Sequence, residues 1–293
     1  MGDKTGDIGK RHCEKERTMK WRVVDTGFAD AATNMAIDEA MMLAHAAGDA
    51  PPTLRFYGWQ PAAVSIGYFQ QAAKDIDLSA CAAAGVSVVR RLTGGRAVLH
   101  DMELTYSIVV KDAEPSIPSA VIASYGHFSK GLLAGLRMLG INAEMSLSRH
   151  AYGRNRGNQV FSAACFDTPS NYEVTYDGRK LVGSAQVRKH GVILQHGSVL
   201  LSFSAQKATA LLKISSAETR AALEKKLEMR VVSAEEILKR DVTYEEVAAA
   251  VTTALGPALG VELRNQGLTA GEEAIASKLA SEKYKQDSWN LKR

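Results

Sequence analysis

The sequence contains little cysteine: its 293 residues include only Cys13, Cys81 and Cys165. These three are too few and too far apart for a disulfide framework, and no two of them form a Cys-x-x-Cys pair. No apolar run approaches the ~18 residues that a membrane-spanning helix needs, and the charged residues 1–18 lack the apolar segment of a secretory signal. We therefore expect a protein of the reducing cytoplasm that makes no membrane contact.

Neither sign of charge predominates: the sequence has 36 Lys and Arg residues and 32 Asp and Glu residues, and the small positive excess is scattered along the chain. This balance excludes the basic stripe of a nucleic-acid-binding domain, while a mild attraction to an acidic protein surface stays compatible with it. The chain lacks a Walker loop, a GxGxxG loop, a GxSxG nucleophile elbow and an HExxH zinc motif. Its seven histidines show no metal-ligand spacing. We expect no metal and no cofactor.

The apolar patterns predict one α+β domain over residues 19–293, preceded by a disordered leader over residues 1–18. Strand patterns come mostly in hairpins and helical patterns in blocks, which favours mixed, largely antiparallel β-sheets flanked by helices, with a helical C-terminal part from residue 204. The predicted helices span residues 30–48, 74–84, 117–139, 205–213, 217–238 and 243–258. The predicted strands span residues 53–59, 63–69, 86–91, 104–110, 171–176, 179–188 and 192–203, and Asp177-Gly178 predicts a hairpin.

The stretch "VVRRLTGGRAVLHD" (88–101) places arginines and glycines at the end of a buried strand. Arg90 and Arg91 are adjacent on a strand and must face opposite sides, so one of them is expected to point inward and to need a partner. Gly94 and Gly95 permit close backbone approach and an anion-binding nest of N–H groups. An anion site, to which His100 also donates, is one interpretation. A tight turn with solvent-exposed arginines and a structural histidine is the other.

The stretch "GRKLVGSAQVRKHGVILQHGSVLL" (178–201) combines a lysine with small residues inside two strands. Lys180 begins the first strand, from which an ammonium can reach a cleft. Gly183, Ser184 and Ala185 follow it, and Gly197 lies in the next strand. Small residues inside a strand often mark the close approach of a ligand or of another backbone. A single glycine is commonly only a bulge, but two in neighbouring strands favour a groove.

Cys165 lies in "FSAACFDTPSNYEV", among residues that look exposed. A strand and a hairpin turn separate it from Lys180. Because a hairpin reverses the chain direction, its second strand can bring Lys180 back beside the loop that precedes the first strand. A thiol and an ammonium could therefore meet there. The alternative for a single cysteine is a small buried hydrophobic residue, and Cys81, in the helical "SACAAAG", fits that alternative.

Taken together, these segments resemble the biotin/lipoate protein ligase superfamily. "RRLTGGRAVLHDMELTYS" is similar to its arginine–glycine stretch, and "DGRKLVGSAQVRKHGVILQHGSVLL" is similar to its lysine motif and the strand that follows. The likeness extends through "NMAIDEAM" and "PAAVSIGYFQ" to "KYKQDSWN", and it covers residues 19–291. The resemblance implies the catalytic-domain fold of that superfamily.

Three activities occur on this scaffold. Lipoate ligases use ATP and need no cysteine, and one group of octanoyltransferases carries its cysteine downstream of the lysine, where this sequence has none. A third group, octanoyltransferases of the LipM type, places its nucleophile upstream of the lysine in a "CF-acidic-x-PS" context, which "CFDTPSNYEVTYDGRKLVGSAQ" resembles. Related amidotransferases, which move octanoyl between lipoyl domains, keep a similarly placed cysteine.

The resemblance therefore implies transfer of octanoyl from octanoyl-acyl carrier protein to a lysine of a lipoyl domain or of glycine cleavage H protein. In this mechanism Cys165 forms an acyl-thioester, while Lys180 favours the thiolate and later takes a proton from the incoming amine. The implied substrate-binding residues are Arg91, Gly94, Gly95, His100, Gly183, Ser184, Ala185, His196 and Gly197. We expect a monomer. The alternatives are an amidotransferase and an ATP-dependent lipoate ligase.

Overall fold

The computed structural model describes residues 19–147 and 172–292. Cys165, Cys13 and the predicted leader over residues 1–18 lie outside the described residues. None of the described helices is both long enough and apolar enough to cross a membrane.

The described residues form eleven strands and ten α-helices. The strands are β1 Met19–Ala29, β2 Thr53–Trp59, β3 Ala63–Ile66, β4 Ser87–Arg90, β5 Val98–His100, β6 Glu103–Lys111, β7 Glu144–Leu147, β8 Tyr172–Tyr176, β9 Arg179–Lys189, β10 Val192–Leu200 and β11 Val261–Asn265. The helices are α1 Ala31–Ala47, α2 Ala72–Asp75, α3 Leu78–Ala83, α4 Val121–Met138, α5 Ala205–Ala210, α6 Ala217–Arg230, α7 Ala234–Leu238, α8 Tyr244–Leu259, α9 Ala270–Leu279 and α10 Asp287–Asn290, with a π-helical turn Ala280–Tyr284 between the last two.

The strands form two sheets. The larger has the order β11-β1-β2-β6-β10-β9-β8-β7, and the smaller has the order β4-β3-β5. In the larger sheet β1 runs parallel to both of its neighbours, and the other pairs are antiparallel. The predicted α+β class with mixed, largely antiparallel sheets is confirmed, as is the helical C-terminal part, within which β11 returns to pair with β1.

Helices cover both faces of the larger sheet. On one face α4 and α8 pack closely because α4 carries glycines at the contact: a Cβ on Gly131 would lie 2.6 Å from Leu255 Cγ, and one on Gly135 would lie 2.7 Å from Val251 Cα. The other face carries α1, which packs against α9. Alternate residues of β2 and β6 therefore enter two separate cores, and some of those facing α1, Tyr57, Trp59 and Thr105, line the site described below.

Local sequence determines where α1 begins and ends. Asp30 caps its N-terminus by accepting a hydrogen bond from the Thr33 N–H at 2.9 Å, and Gly48 ends it in the left-handed region with φ +88°. The helix predicted over residues 30–48 is therefore confirmed, with Asp30 and Gly48 as its two ends. The predicted hairpin at Asp177-Gly178 is also present, because both residues have positive φ, as a two-residue turn between twisted strands requires.

Some predicted boundaries are wrong. The helix expected over 217–238 splits into α6 and α7 because Val231 and Val232 leave it; the Val232 N–H donates to the backbone oxygen of Lys180 at 3.0 Å. Likewise, the helix expected over 74–84 is two short helices, and the one expected over 117–139 begins only at Val121. Strands β1, β5, β7 and β11 were not predicted, nor were the helices from Ala270 onward.

Candidate functional site

A cavity of about 640 Å³ lies between the smaller sheet and the face of the larger sheet that carries α1. All but one of the predicted site residues in the described part of the chain line it: Arg91, Gly95, His100, Lys180, Gly183, Ser184, Ala185, His196 and Gly197. Gly94 does not line the cavity, and Cys165 lies outside the described residues. Residues from two separate stretches of the sequence, 88–101 and 178–201, therefore share one concave surface.

Lys180 reaches this cavity because of a β-bulge in β9. Val174 of β8 pairs with Val182, but the next residue, Thr175, pairs with Lys180, so Leu181 is an extra residue. Strict alternation would place Lys180 and Gly183 on opposite faces of the sheet. The extra residue shifts the alternation of side chains between the two faces by one position, so Lys180 points to the same face as Gly183.

Further contacts hold Lys180 in place. Its side chain is buried, and its Nζ lies 2.8 Å from Oε1 of Glu173, a residue of β8 on the same face. The backbone of Lys180 also pairs with the residues that interrupt the helices α6 and α7. The sequence did not single out Glu173, although it stands within the "NYEV" motif.

Gly197 is required by the packing of three strands. A Cβ at this position would lie 2.5 Å from the backbone oxygen of Gly183, 2.7 Å from Ser184 Oγ and 2.9 Å from the Tyr106 ring. Without a side chain, β10 lets Ser184 donate to or accept from Tyr106 Oη at 2.7 Å. The glycine therefore fixes the position of Gly183 and Ser184 along the cavity wall.

Arg91 is buried, and protein acceptors use all five of its N–H groups. Its Nε donates to Thr93 Oγ1 at 3.1 Å, and Nη1 donates to the backbone oxygen and the hydroxyl of Ser65 at 2.9 and 3.0 Å. Its Nη2 donates to the backbone oxygens of Gly94 and Arg96 at 2.8 and 2.7 Å. The partner that an inward arginine needs is therefore the glycine loop itself, and Arg91 fixes the shape of that loop.

Arg90 is also buried and faces the other way, as adjacent strand residues must. Its guanidinium donates to six backbone oxygens, three in the loop after β3 and three at the C-terminus: those of Gly67, Tyr68, Gln70, Trp289, Asn290 and Lys292. The expectation that only one arginine points inward is incomplete, because both are buried and the second ties the C-terminal segment to the site.

His100 belongs to a chain of buried hydrogen bonds at one side of the cavity. Its Nδ1 lies 2.7 Å from Glu103 Oε1, and its Nε2 lies 2.7 Å from Ser65 Oγ. The imidazole stacks on the Trp59 ring with centroids 4.1 Å apart. Because a carboxylate only accepts, Nδ1 carries the proton in the neutral ring, and Nε2 accepts from the serine hydroxyl.

His196 belongs to a second chain with the same order of groups. Its Nε2 lies 2.7 Å from Thr93 Oγ1, and its Nδ1 lies 3.1 Å from Asp38 Oδ2. Burial lowers the pKa of His196, although the hydrogen bond to Asp38 opposes the shift. Burial alone would raise the pKa of Asp38, but the bond from His196 and the charge of Arg55 lower it. Arg91 thus begins two parallel chains, each running through a hydroxyl and an imidazole to a buried carboxylate.

In these two chains, polar atoms of the cavity wall form hydrogen bonds with one another or with the carboxylates behind them. Besides the histidines, the Thr105 and Ser198 hydroxyls donate to Glu103 Oε1 at 2.5 and 2.7 Å. The wall therefore presents mostly carbon to the cavity, including the rings of Tyr57 and Trp59. In the described part of the chain, no three histidine, cysteine or carboxylate side chains are grouped as metal ligands.

About half of the cavity wall was not predicted from the sequence: Met35, Tyr57, Trp59, Ser65, Val98, Thr105 and Ser198. Two signals were available. Thr105 lies within the predicted strand 104–110 as a polar residue of a pattern with period two, and so does Ser107, which donates to Asp38 Oδ1 at 2.8 Å. No local pattern shows that these hydroxyls meet Asp38 and Glu103.

Comparison with known proteins gives consistent similarities along the chain. The profile of the lipoyl protein ligase A/B catalytic domain matches residues 30–256. An octanoyltransferase LipM from Kyrpidia tusciae is 47% identical over 273 residues, which cover 93% of this chain and 99% of that protein. The octanoyltransferase LipM of Bacillus subtilis is 40% identical, with 93% and 98% covered.

Solved structures agree with these similarities. A bipartite lipoate protein ligase from Thermoplasma acidophilum superimposes with a TM-score of 0.76 at 26% identity, covering 94% of this chain and 98% of that one. A lipoate-protein ligase A bound with ATP gives a TM-score of 0.73 at 26% identity, with 93% and 99% covered.

Proposed function

The chain belongs to the lipoyl protein ligase A/B catalytic domain family, as its motifs predicted, and on that premise we propose that it is an octanoyltransferase of protein lipoylation. The donor in this proposal is octanoyl-acyl carrier protein. The acceptor is a lysine of a lipoyl domain or of glycine cleavage H protein. The relatives at 40% to 47% identity are named octanoyltransferases, whereas the similar ligase structures share 26% of their residues with this chain.

The observation that carries the proposal is a cavity with a carbon-rich wall and a buried ammonium at its side. An octanoyl chain has about six methylenes, and burying each contributes ~0.8 kcal/mol, so roughly 5 kcal/mol is available for binding. Gly183 and Ala185 are small residues of the wall beside which such a chain can lie, and Gly197 lets the strands behind them pack closely. A polar cofactor would find few unused donors here, because the hydroxyls and imidazoles bind one another.

In the proposed mechanism, the Cys165 thiolate attacks the octanoyl thioester of the carrier and forms an acyl-enzyme, while the carbon–sulfur bond to the carrier breaks and the sulfur of the carrier leaves as a thiolate. A free thiol has a pKa of ~8.5 and is mostly protonated at neutral pH. The Lys180 ammonium, aimed into the cavity beside Glu173, would favour the thiolate if Cys165 approaches it. The amine of the acceptor lysine then attacks the acyl-enzyme and forms the amide.

The arginine–glycine loop has a structural part in this proposal. Since the N–H groups of Arg91 bind Ser65, Thr93 and the loop carbonyls, the arginine is not poised to hold a phosphate. Gly95 has φ +96°, and a Cβ on it would lie 2.8 Å from Arg91 Nη2, so the loop packs tightly against the arginine.

Intact mass spectrometry of the full chain mixed with octanoyl-acyl carrier protein tests the proposal. We expect a hydroxylamine-labile adduct of about 126 Da, the mass that an octanoyl group adds in place of a hydrogen. Cys165→Ala should abolish both the adduct and the transfer to a lipoyl domain. Cys81→Ala is the matched control, because burial raises the pKa of the Cys81 thiol to about 11 and it does not line the cavity.

The same experiment separates the alternatives. A lipoate ligase would need free acid, ATP and Mg²⁺, and Cys165→Ala would hardly affect it. An amidotransferase would form the adduct from an octanoylated lipoyl domain faster than from the carrier. Absence of the adduct with both donors would reject the covalent mechanism.

A further inference from the structure

Aminolysis of an acyl-enzyme releases a proton, and the group that receives it must have a lone pair. Lys180 is held as the cationic partner of Glu173, with Nζ 2.8 Å from the carboxylate. An ammonium has three donors and no acceptor. The cavity must therefore supply another acceptor if the ion pair is to stay intact during the transfer step.

Ser65, His100 and Glu103 have the geometry of such an acceptor. Ser65 Oγ lies 2.7 Å from His100 Nε2, and His100 Nδ1 lies 2.7 Å from Glu103 Oε1. Ser65 and His100 line the cavity, while Glu103 lies behind them and is 3% exposed. This is the arrangement of a hydroxyl, a base and an orienting carboxylate that general-base catalysis uses.

Resting on the proposed function, we propose that Ser65 and His100 receive the proton of the incoming amine, with Glu103 as the positioning residue that acts through His100. The amine nitrogen bonds to the thioester carbon, and the carbon–sulfur bond breaks with the electron pair leaving on the Cys165 sulfur. The amine proton passes to Ser65 Oγ as the serine gives its own proton to His100 Nε2. The imidazolium then gives this proton to the Cys165 thiolate, and in the next acylation the proton leaves Cys165 and is taken up by the sulfur of the released carrier, so that atoms and charges balance over the cycle.

The surrounding charges suit this transfer. Arg91 Nη1 donates to Ser65 Oγ at 3.0 Å and stabilises negative charge that develops on the oxygen as its proton moves. Glu103 stabilises the imidazolium through Nδ1. The other charged or titratable groups of the wall are Tyr57 of β2, His196 of β10 and Lys180 of β9. The Trp59 ring, stacked on His100, keeps the imidazole in the plane that serves both bonds.

Glu103→Gln tests the charge of Glu103 separately from its shape. Oε1 accepts from His100, Thr105 and Ser198, whereas Oε2 has no hydrogen-bond partner among the described residues. A glutamine can therefore keep the three bonds on its oxygen and place the amide nitrogen at the other position. Ser65→Ala removes the hydroxyl of the relay. Ser129→Ala, a buried serine of α4 on the opposite face of the sheet, is the matched control.

The measurement separates the two half-reactions of the full-length enzyme. Acylation by octanoyl-acyl carrier protein is followed by rapid-quench mass spectrometry, and transfer is followed from the isolated acyl-enzyme to a lipoyl domain. We expect acylation within about threefold of wild type in both variants. Transfer should be slower by about 10²-fold in Ser65→Ala and by about tenfold in Glu103→Gln, with the acid limb of its pH profile moved to lower pH in the latter.

The outcomes are distinct. An adduct that forms normally and transfers at the wild-type rate in Ser65→Ala overturns the relay while leaving the proposed function intact. Equal slowing of both half-reactions also overturns it, since that result describes a general disturbance of the cavity. If wild-type enzyme forms no adduct, the covalent function fails and the relay fails with it.

Discussion

Lys180 and Glu173 form a buried ion pair across β9 and β8, with Nζ 2.8 Å from Oε1 and side chains 4% and 15% exposed. Removing one partner of such a pair leaves the other charge unbalanced in a poorly solvated place. We predict that Glu173→Gln slows formation of the acyl-enzyme by about tenfold, which corresponds to ~1.4 kcal/mol in the barrier. Glu173→Asp should recover part of the rate, and the rapid-quench acylation assay measures both.

The neighbouring pair Arg179–Glu236 provides the control. It lies one residue away in β9, but its side chains are 30% and 46% exposed, and solvent screens their attraction. Glu236→Gln should leave acylation unchanged. Equal effects of the two substitutions would contradict a specific role for Glu173.

Gly197 is predicted to be intolerant of a methyl group. A Cβ there would lie 2.5 Å from the backbone oxygen of Gly183, which cannot move without shifting β9. Gly197→Ala should lower the free energy of unfolding by about 1–3 kcal/mol and reduce acyl transfer. Gly267→Ala, where an added Cβ meets no atom within 4 Å, is the matched control in urea unfolding. If Gly197→Ala has the free energy of unfolding of the wild type, β9 can shift away from β10 without cost, and the predicted clash with Gly183 does not occur.

Features set by neighbouring residues could be predicted from the sequence. The cap at Asp30 and the hairpin at Asp177-Gly178 depend only on the local backbone preferences of those residues. The family and the α+β class also followed from the sequence, and both are confirmed.

Features set by distant contacts could not be predicted. The bulge at Leu181 determines which face Lys180 occupies, yet a pattern with period two would place Lys180 on the other face. The sequence showed that an inward arginine needs a partner, but not that the partners of Arg91 include the loop that follows it. The position of Cys165 relative to Lys180 stays a prediction.

Arg90 should be among the least replaceable residues of the chain. Its planar guanidinium binds six backbone oxygens at once, and a lysine offers only three donors from one point. Each buried carbonyl left without a donor costs about 1–3 kcal/mol. We predict that Arg90→Lys lowers the free energy of unfolding by about 3 kcal/mol or more. Arg264→Lys, at an exposed pair with Glu262, should change it by less than about 1 kcal/mol.

His45 should make the stability depend on pH below neutrality. Its ring is buried at the end of α1, Nδ1 lies 2.8 Å from the backbone oxygen of Ala50, and Nε2 has no hydrogen-bond partner in the described part of the chain. Burial lowers the pKa of His45 from its ordinary 6.5. Below pH 6.5 the unfolded chain therefore takes up a proton that the native state does not, and stability falls as the pH falls.

We predict that His45→Gln reduces the slope of unfolding free energy against pH between pH 6.5 and 5 by up to about 1.4 kcal/mol per pH unit. Urea unfolding at a series of pH values measures both slopes. His196 contributes in the same direction, because burial also lowers its pKa, so the variant should keep a residual slope. At pH 8 the two proteins should have parallel curves, since the native and unfolded states then both hold the ring neutral. Equal slopes at pH 5–6.5 would mean that the native state takes up the proton at His45 as readily as the unfolded chain does, and burial of this ring would then have no part in the acid instability of the protein.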